Sequence, residues 1–234
     1  MKTFYCNKEP FTHPKNRRIC FFLLTFCLLF LALFSACQKK IDYFDYVSEL
    51  RDNIFTAETE GYALRIYSVK KESPYAADGI PKEVSARTEI YFLAPEGDKE
   101  CQISFSVEEK TYGGEMSFDN VKAEYYYSCS LDISELKEFP CKLRYGDSEL
   151  TLTASSVKNE KTITPKSILN GLEKEESELF SSMTDKYGFA GEIYCRLIFE
   201  ESAYYYVGII DRSGNIQAFL INAETGKILA KRQS

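Results

Sequence analysis

The segment Cys101-Gln102-Ile103-Ser104-Phe105-Ser106-Val107 alternates apolar and polar side chains at every position. Successive side chains of a β-strand point to opposite faces, so the apolar residues of this segment share one face. The pattern predicts a strand with one buried face, which is typical of antiparallel sheets. The same alternation recurs on both sides of this segment, and it decides the predicted fold class.

Five further segments between residues 62 and 157 are rich in Tyr, Ile, Val and Thr and predict strands. They are 62–69, 85–93, 122–133, 141–145 and 149–155. Turn sequences separate them, among them Gly113-Gly114 and Tyr145-Gly146-Asp147-Ser148, and a longer loop covers 73–81. Short alternating strands at this spacing predict an antiparallel β-sandwich, Ig-like in type, over residues 59–157.

The segment before this region has a different periodicity. Its apolar residues recur at spacings of three and four, which predicts a short amphipathic helix over 42–55; they are Tyr43, Tyr46, Val47, Leu50 and Ile54. With the polar residues 38–40 before it, residues 37–58 are interpreted as a tether and a short helix.

The C-terminal third predicts a second, smaller domain. Residues 158–163 are polar and are interpreted as a linker. Thr164 can cap a helix whose first position is Pro165, and strand patterns follow at 192–200, 203–210 and 215–222. The predicted fold class is therefore α+β: the sandwich, then one helix on a three-stranded antiparallel sheet at 164–234.

This C-terminal region also resembles a known family. Ile163-Thr164-Pro165 opens the helix, and the chain closes with Ile221-Asn222-Ala223-Glu224-Thr225-Gly226-Lys227-Ile228-Leu229. The order is similar to that of PepSY-type domains, which usually end in V-D-A-x-T-G-K-[IV]. The resemblance covers 163–232 and implies a helix packed on a small sheet, in a family for which peptidase binding or inhibition has been suggested. It brings no catalytic residue.

The N-terminus predicts where the protein is located. Arg17 and Arg18 precede an apolar run over 19–34, and Phe34-Ser35-Ala36-Cys37 follows. This order resembles the lipobox of bacterial lipoproteins. It implies that a signal peptidase recognises Phe34, Ser35 and Ala36, that residues 1–36 are removed, and that Cys37 carries diacylglycerol. Two acyl chains suffice for stable anchoring. The alternative is an uncleaved transmembrane anchor, and both place the rest of the chain at a membrane, facing outside the cytoplasm.

Composition excludes several function classes. The single histidine, His13, lies in the predicted leader, and the chain has no tryptophan. Without imidazole, Ser-His-Asp and Cys-His catalysis and most catalytic zinc sites cannot be built. Residues 37–234 hold 24 basic and 34 acidic residues, a formal charge of −10. That charge argues against nucleic-acid binding.

Four cysteines follow Cys37, and each lies on the apolar phase of a predicted strand; they are Cys101, Cys129, Cys141 and Cys195. Two interpretations stay open. Each thiol can be a small buried hydrophobic group, or pairs can form disulfides, which are common outside the cytoplasm. Sequence does not choose among the three possible pairings, and no CxxC spacing predicts a zinc site.

Two tyrosine triplets, Tyr125-Tyr126-Tyr127 and Tyr204-Tyr205-Tyr206, fit strands. In each triplet one phase points outward, so an aromatic contact with a sugar or a peptide is the functional alternative.

The sequence thus predicts a non-enzymatic envelope lipoprotein that needs no metal or cofactor and binds a protein or peptide partner, for which a peptidase is one candidate. Strand addition at a free edge of the C-terminal sheet would supply the contact. Two alternatives are a structural or assembly subunit of the envelope and a glycan hydrolase that uses carboxylates alone.

Overall fold

The computed structural model describes residues 41–72, 80–97 and 99–233. The predicted leader, the lipobox residues Phe34 to Cys37 and most of the predicted loop 73–81 lie outside the described residues. Residues Asp42–Ser234 form one compact unit. Among the described residues, the buried members of two hydrophobic clusters lie within 47–223, so this unit contains its own core.

The described residues form fifteen strands and two α-helices, after a 3-10 turn at Tyr43–Tyr46. The first nine strands are β1 Val47–Thr59, β2 Tyr62–Glu72, β3 Val84–Leu93, β4 Cys101–Val107, β5 Lys110–Glu115, β6 Ser117–Asp119, β7 Glu124–Cys129, β8 Glu138–Tyr145 and β9 Ser148–Ser156. Then follow α1 Pro165–Glu175, α2 Ser177–Ser182, β10 Thr184–Asp185, β11 Gly188–Phe189, β12 Gly191–Phe199, β13 Ala203–Asp211, β14 Ile216–Asn222 and β15 Ile228–Gln233.

The first nine strands follow one another around a nearly closed, barrel-like circuit. The order is β1, β2, β3, β7, β6, β5, β4, β8 and β9, with β9 returning to β1 at Phe55–Ser156 and Thr56–Ser155. β5 and β6 are parts of one extended segment divided by Met116, whose N–H donates to the Cys101 carbonyl at 2.8 Å. This segment crosses from β4 to β7 and so joins the two sides of the circuit.

The sheet continues beyond this circuit through β1. The first half of β1 pairs in parallel with β12, and β13, β14 and β15 follow by antiparallel pairing, so that β15 is the outermost strand. The pairing register of β1 shifts between Val47 and Glu49 and again between Arg51 and Asn53. Such irregularities change which face a side chain occupies. Ile54 and Phe55 follow these shifts and are consecutive, so they face opposite sides of β1 and lie in different hydrophobic clusters.

Two hydrophobic clusters stabilise the unit. The first fills the nine-strand circuit, where Phe55, Ile66, Ile90 and Cys141 are fully buried. The second lies between the C-terminal strands and the helices and includes Leu172. Since β1 contributes to both clusters, one strand joins the two packed regions.

The predicted α+β fold class is wrong. The protein is mostly β, with 58% strand and 11% helix, and the predicted Ig-like sandwich and three-stranded sheet are replaced by a barrel-like circuit continuous with the C-terminal strands. The reason is β1, which pairs with β2, β9 and β12 at once. Alternation within each strand predicts the strands but not which strands become neighbours.

The predicted helix at 42–55 is also wrong, because the chain there forms the 3-10 turn and β1. The apolar spacing of three and four residues from Val47 to Leu50 to Ile54 matches a helix. A strand fits these spacings as well, since one register shift between Val47 and Glu49 accounts for the spacing of three, and the spacing of four is ordinary alternation. These three residues share the second cluster despite lying on a strand.

The helix at 164 and the strands after it are confirmed. The Thr164 hydroxyl accepts from the Ser167 N–H at 3.3 Å and caps α1, and Pro165 is the first helical residue. The strand predictions at 192–200, 203–210 and 215–222 coincide with β12, β13 and β14 to within a residue at either end. A domain boundary at 158–163 stays a prediction.

One glycine is required where β4 and β5 pack closely. Gly113 has φ +150°, and a Cβ there would lie 2.2 Å from the Ile103 carbonyl oxygen. By contrast, a Cβ at Gly171 in α1 would meet no atom within 4 Å. The first glycine is set by tertiary packing and the second is not.

Candidate functional site

A groove of about 680 Å³ lies along the first half of β1. Its walls come from the 3-10 turn, β1, β2, the start of β3, the loop after β7, β13 and the segment 158–166. The groove therefore forms only when strands distant in sequence meet on β1. It is a concave site of the size that ligands and peptides occupy.

The base of the groove is apolar. Val47 and Leu50 of β1 and Tyr205 of β13 are buried beneath it, while Phe44 and Ile163 are half-buried at its sides. The Tyr205 hydroxyl donates to the Ile163 carbonyl at 3.0 Å, which fixes the segment 158–163 against the sheet. An apolar base with a few polar groups is the usual composition of a binding site.

An ion group crosses the groove wall. Lys70 Nζ lies 3.2 Å from Asp52 Oδ2 and 3.0 Å from Asp132 Oδ2. Asp52 is only 7% exposed, and its other oxygen, Oδ1, has no hydrogen-bond partner. A buried carboxylate oxygen without a donor is energetically costly, so Asp52 is held in an unfavourable environment at the groove wall.

The ion group determines the charge states of its members. Burial lowers the pKa of Lys70, but Asp132 and Asp52 outweigh it, and the net shift is upward. For Asp132, burial opposes ionisation, yet hydrogen bonds from Ser134 and the charge of Lys70 bring its pKa below the ordinary value. Asp132 is thus an anion and Lys70 a cation at neutral pH.

Neutral groups lie beneath Asp52. Burial raises the pKa of the Cys195 thiol to about 12, and the Asp52 charge adds to the rise. Burial, then Cys195 and Asp52, raise the pKa of Tyr205 in the same direction. These two groups therefore stay protonated and uncharged at neutral pH.

Four lysines line the groove of an acidic chain; they are Lys70, Lys82, Lys158 and Lys166. Lys158 Nζ donates to the Ser134 carbonyl at 3.0 Å, and Lys166 forms an ion pair with Asp42 at 2.5 Å. Three acidic residues, Asp45, Asp52 and Glu135, line it as well. The groove therefore offers both signs of charge around its apolar base.

Asn53 supports the groove from behind. It is 0% exposed, and its Nδ2 donates to the carbonyls of Ser134 at 3.0 Å and Leu136 at 3.3 Å. Its Oδ1 accepts from the Ile54 N–H at 2.9 Å and from the Ser156 hydroxyl at 2.7 Å. One side chain thus links the bulge of β1 to the loop after β7 and to the end of β9.

The four predicted cysteines do not meet in this groove. Cys101, Cys141 and Cys195 are buried and Cys129 is half-buried, and none of these four described residues is disulfide-bonded. Burial raises the pKa of Cys101 to about 11 and that of Cys141 to about 12. The predicted inward phase is thus correct for the three buried thiols, which pack as small apolar groups.

The tyrosine triplets are divided between core and surface. Tyr125 is 1% and Tyr205 0% exposed, whereas the other four tyrosines are half-buried. Tyr126 lies on the outer face of the circuit beside Tyr91, at a centroid distance of 5.1 Å. The prediction that one phase of each triplet points outward therefore agrees with the structure.

The outer edge of β15 is the free sheet edge on which strand addition was predicted. Its last residues include Lys231 and Arg232, and Lys231 forms an ion pair with Glu176. Charged residues on an edge strand discourage pairing with another strand. The groove is therefore a better candidate site than this edge.

No family model, curated protein or solved structure matches this chain. The resemblances to lipoproteins and to PepSY-type domains accordingly stay predictions. Within the described ranges, no helix is both long enough and apolar enough to cross a membrane. The same ranges contain no cluster of three or more His, Cys, Asp or Glu side chains that could hold a metal ion.

The sequence patterns do not indicate the residues that distinguish the groove. Asp52 and Lys70 are eighteen positions apart and meet only because β1 and β2 pair. The available signal was Asp52-Asn53 lying between the apolar residues Leu50 and Ile54. A buried Asp-Asn pair requires partners, and that requirement marks the place where the strand is irregular.

Proposed function

We propose that this chain is a lipid-anchored, non-enzymatic binding protein on the outer side of a membrane, and that its groove holds an extended peptide segment of a partner protein. The observation that carries the proposal is the groove itself, with an apolar base and the buried, partly unpaired Asp52. Apolar side chains of a peptide would pack on the base, and charged groups of the peptide would pair with the lysines and carboxylates that line the groove.

The C-terminal region contributes to this groove. Residues 163–166 and Tyr205 form one side of it, and they belong to the segment that resembles PepSY-type domains. The proposal is therefore compatible with a peptidase as the partner. The lysines at the rim suit acidic side chains or a carboxyl terminus on the same peptide.

The ionisation of the groove supports binding rather than hydrolysis. A glycosidase acid needs a raised pKa in order to donate its proton. Asp132 has a lowered pKa, and it shares Lys70 with Asp52. Asp132 is therefore suited to holding a cation and not to acid catalysis.

The anchoring is tested by replacing the acylated residue. Cys37→Ser is expected to move the protein from the membrane fraction to the medium or the periplasm, and mass spectrometry of the native protein should find diacylglycerol on Cys37. An intact leader on the mature protein, or a free thiol at position 37, would contradict the proposal.

The groove is tested with a phage-displayed library of random peptides against an immobilised soluble form, residues 38–234. Enriched peptides should bind Asp52→Asn at least tenfold more weakly than the unmodified chain. Asp147→Asn, at an exposed turn, is the matched control and should bind normally. Val84→Glu adds a bulky charge at a position that is 43% exposed, so it should block the groove without affecting the core.

Two outcomes would contradict the groove as the binding site. One is that no peptide is enriched above the background of the selection. The other is that Asp52→Asn and Val84→Glu bind the enriched peptides as tightly as the unmodified chain does.

A further inference from the structure

A row of three tyrosines crosses the outer face of the nine-strand circuit. Tyr67 of β2, Tyr91 of β3 and Tyr126 of β7 are all half-buried and share this face. The ring centroids of Tyr67 and Tyr91 are 5.5 Å apart, and those of Tyr91 and Tyr126 are 5.1 Å apart. These spacings follow the separation of about 4.8 Å between neighbouring strands.

Charged side chains flank the row on both sides. The Arg51 guanidinium lies 4.0 Å from the Tyr67 ring centroid. The Tyr91 hydroxyl donates to Glu89 Oε2 at 3.4 Å, and Glu89 also pairs with Lys71 at 3.2 Å. The rings of Tyr67 and Tyr91 are thus held in position by polar neighbours, which reduces the entropy that a ligand must overcome on binding.

A shallow trough of about 500 Å³ runs beside the row. Two basic and two acidic residues line it: Arg65, Lys122, Glu58 and Glu124. The lining charges cancel, so the trough does not select an anionic polymer such as a nucleic acid. Leu93 is the large apolar side chain of the lining that is exposed, with 49% of its surface accessible. The exposed apolar area is therefore small for a docked protein.

The backbone beneath the row is already engaged. β2 pairs with β1 and β3, and β3 pairs with β2 and β7. A ligand on this face therefore meets only side chains, and a peptide could not add to the sheet here. The available contacts are aromatic faces, guanidinium, ammonium and carboxylate groups.

We infer that this face binds an uncharged oligosaccharide. The C–H faces of sugar rings pack on aromatic rings, and sugar hydroxyls both donate and accept hydrogen bonds. Tyrosine rings bordered by balanced charges match both properties. The inference concerns a face other than the groove and does not rest on peptide binding there. A glycan of the cell envelope is the natural source of such a ligand for an anchored protein.

The test is isothermal titration calorimetry of the soluble form, residues 38–234, with the β-1,4-linked tetramers of N-acetylglucosamine and of glucose. Saturable binding of at least one tetramer is expected. Tyr91→Ala should weaken it by about tenfold, as expected for loss of one stacked ring. Tyr91→Phe should retain most of the affinity, because the ring remains.

Tyr187→Ala is the matched control and should bind normally. Tyr187 is 83% exposed and lies in the turn between β10 and β11. If Tyr91→Ala does not fold, as judged by circular dichroism, Tyr126→Ala replaces it. Failure of both tetramers to bind, or binding that neither alanine variant weakens, would overturn the inference. Asp52→Asn should bind the tetramer normally even if it loses peptides, so the two sites are tested separately.

Discussion

Replacement of Asn53 by alanine tests whether one side chain holds the groove and the two packed regions together. Asn53 makes four hydrogen bonds at a fully buried position, to the loop after β7, to the end of β9 and to the backbone of β1. Asn53→Ala removes all four without adding bulk. The expected consequence is a large loss of stability with little change in secondary structure.

The magnitude follows from what the substitution leaves unpaired. The Ser134 carbonyl keeps the ammonium of Lys158, so it loses little. The buried Ile54 N–H and the Leu136 carbonyl are left without the Asn53 amide. A buried group without its partner costs about 1–3 kcal/mol, so the total is about 3 kcal/mol. In a protein of this size that loss lowers the Tm by about 6–12 °C.

Urea titration followed by far-UV circular dichroism gives the free energy of unfolding of the soluble form. Asn159→Ala is the matched control, because Asn159 also bonds through both ends of its amide, to Glu224 at 2.8 Å and to the Lys161 N–H at 2.8 Å, but is exposed. Water replaces those bonds, so the control should lose less than about 1 kcal/mol. Equal losses in the two variants, or a loss below about 1 kcal/mol for Asn53→Ala, would refute the reasoning.

Gly113→Ala should destabilise the protein by about 2 kcal/mol or more in the same titration, because the new Cβ meets the backbone of β4. Gly171→Ala should instead stabilise it by about 0.5–1 kcal/mol. A greater loss of stability in Gly171→Ala than in Gly113→Ala would contradict the packing of β4 on β5. Asp132→Asn should be less stable than the unmodified chain at neutral pH. The pKa of Asp132 is lower in the folded state than in the unfolded state. Its contribution to the free energy of unfolding is therefore present above about pH 4 and is lost as the pH falls through the pKa of the folded state. A difference in stability between the two proteins that does not change with pH would contradict the ion pair with Lys70. Maleimide at pH 8 should label Cys129 before the other three thiols of the soluble form, because Cys129 is the least buried. Unfolding without reductant should expose four free thiols per chain. Two free thiols, or none, would indicate disulfides.

The groove and the tyrosine row use the same sheet in different ways. The groove lies where β1 is irregular and side chains of distant segments converge, and there a buried carboxylate can be left partly unpaired. The tyrosine row lies where pairing is regular, so its rings repeat from strand to strand. Binding at the first would depend on charge and hydrogen bonding, and at the second on aromatic contact.

Local sequence determined the individual elements that depend on near neighbours. Alternation predicted most strands, Thr164 and Pro165 predicted the start of α1, and the phase of Cys101, Cys141 and Cys195 predicted their burial. These features follow from the two-residue period of strands and from capping, which act over a few residues. The proposed anchor at Cys37 likewise rests on a short motif.

Only the tertiary structure decided that β1 is a strand, that it joins the nine-strand circuit to β12, and that Asp52 meets Lys70 beside a groove. A bulged strand and a helix have similar apolar spacings over a dozen residues, and packing in two hydrophobic clusters chooses between them. Strand pairing joins residues far apart in the chain. Its free energy therefore depends on the whole set of neighbours, which no single segment contains.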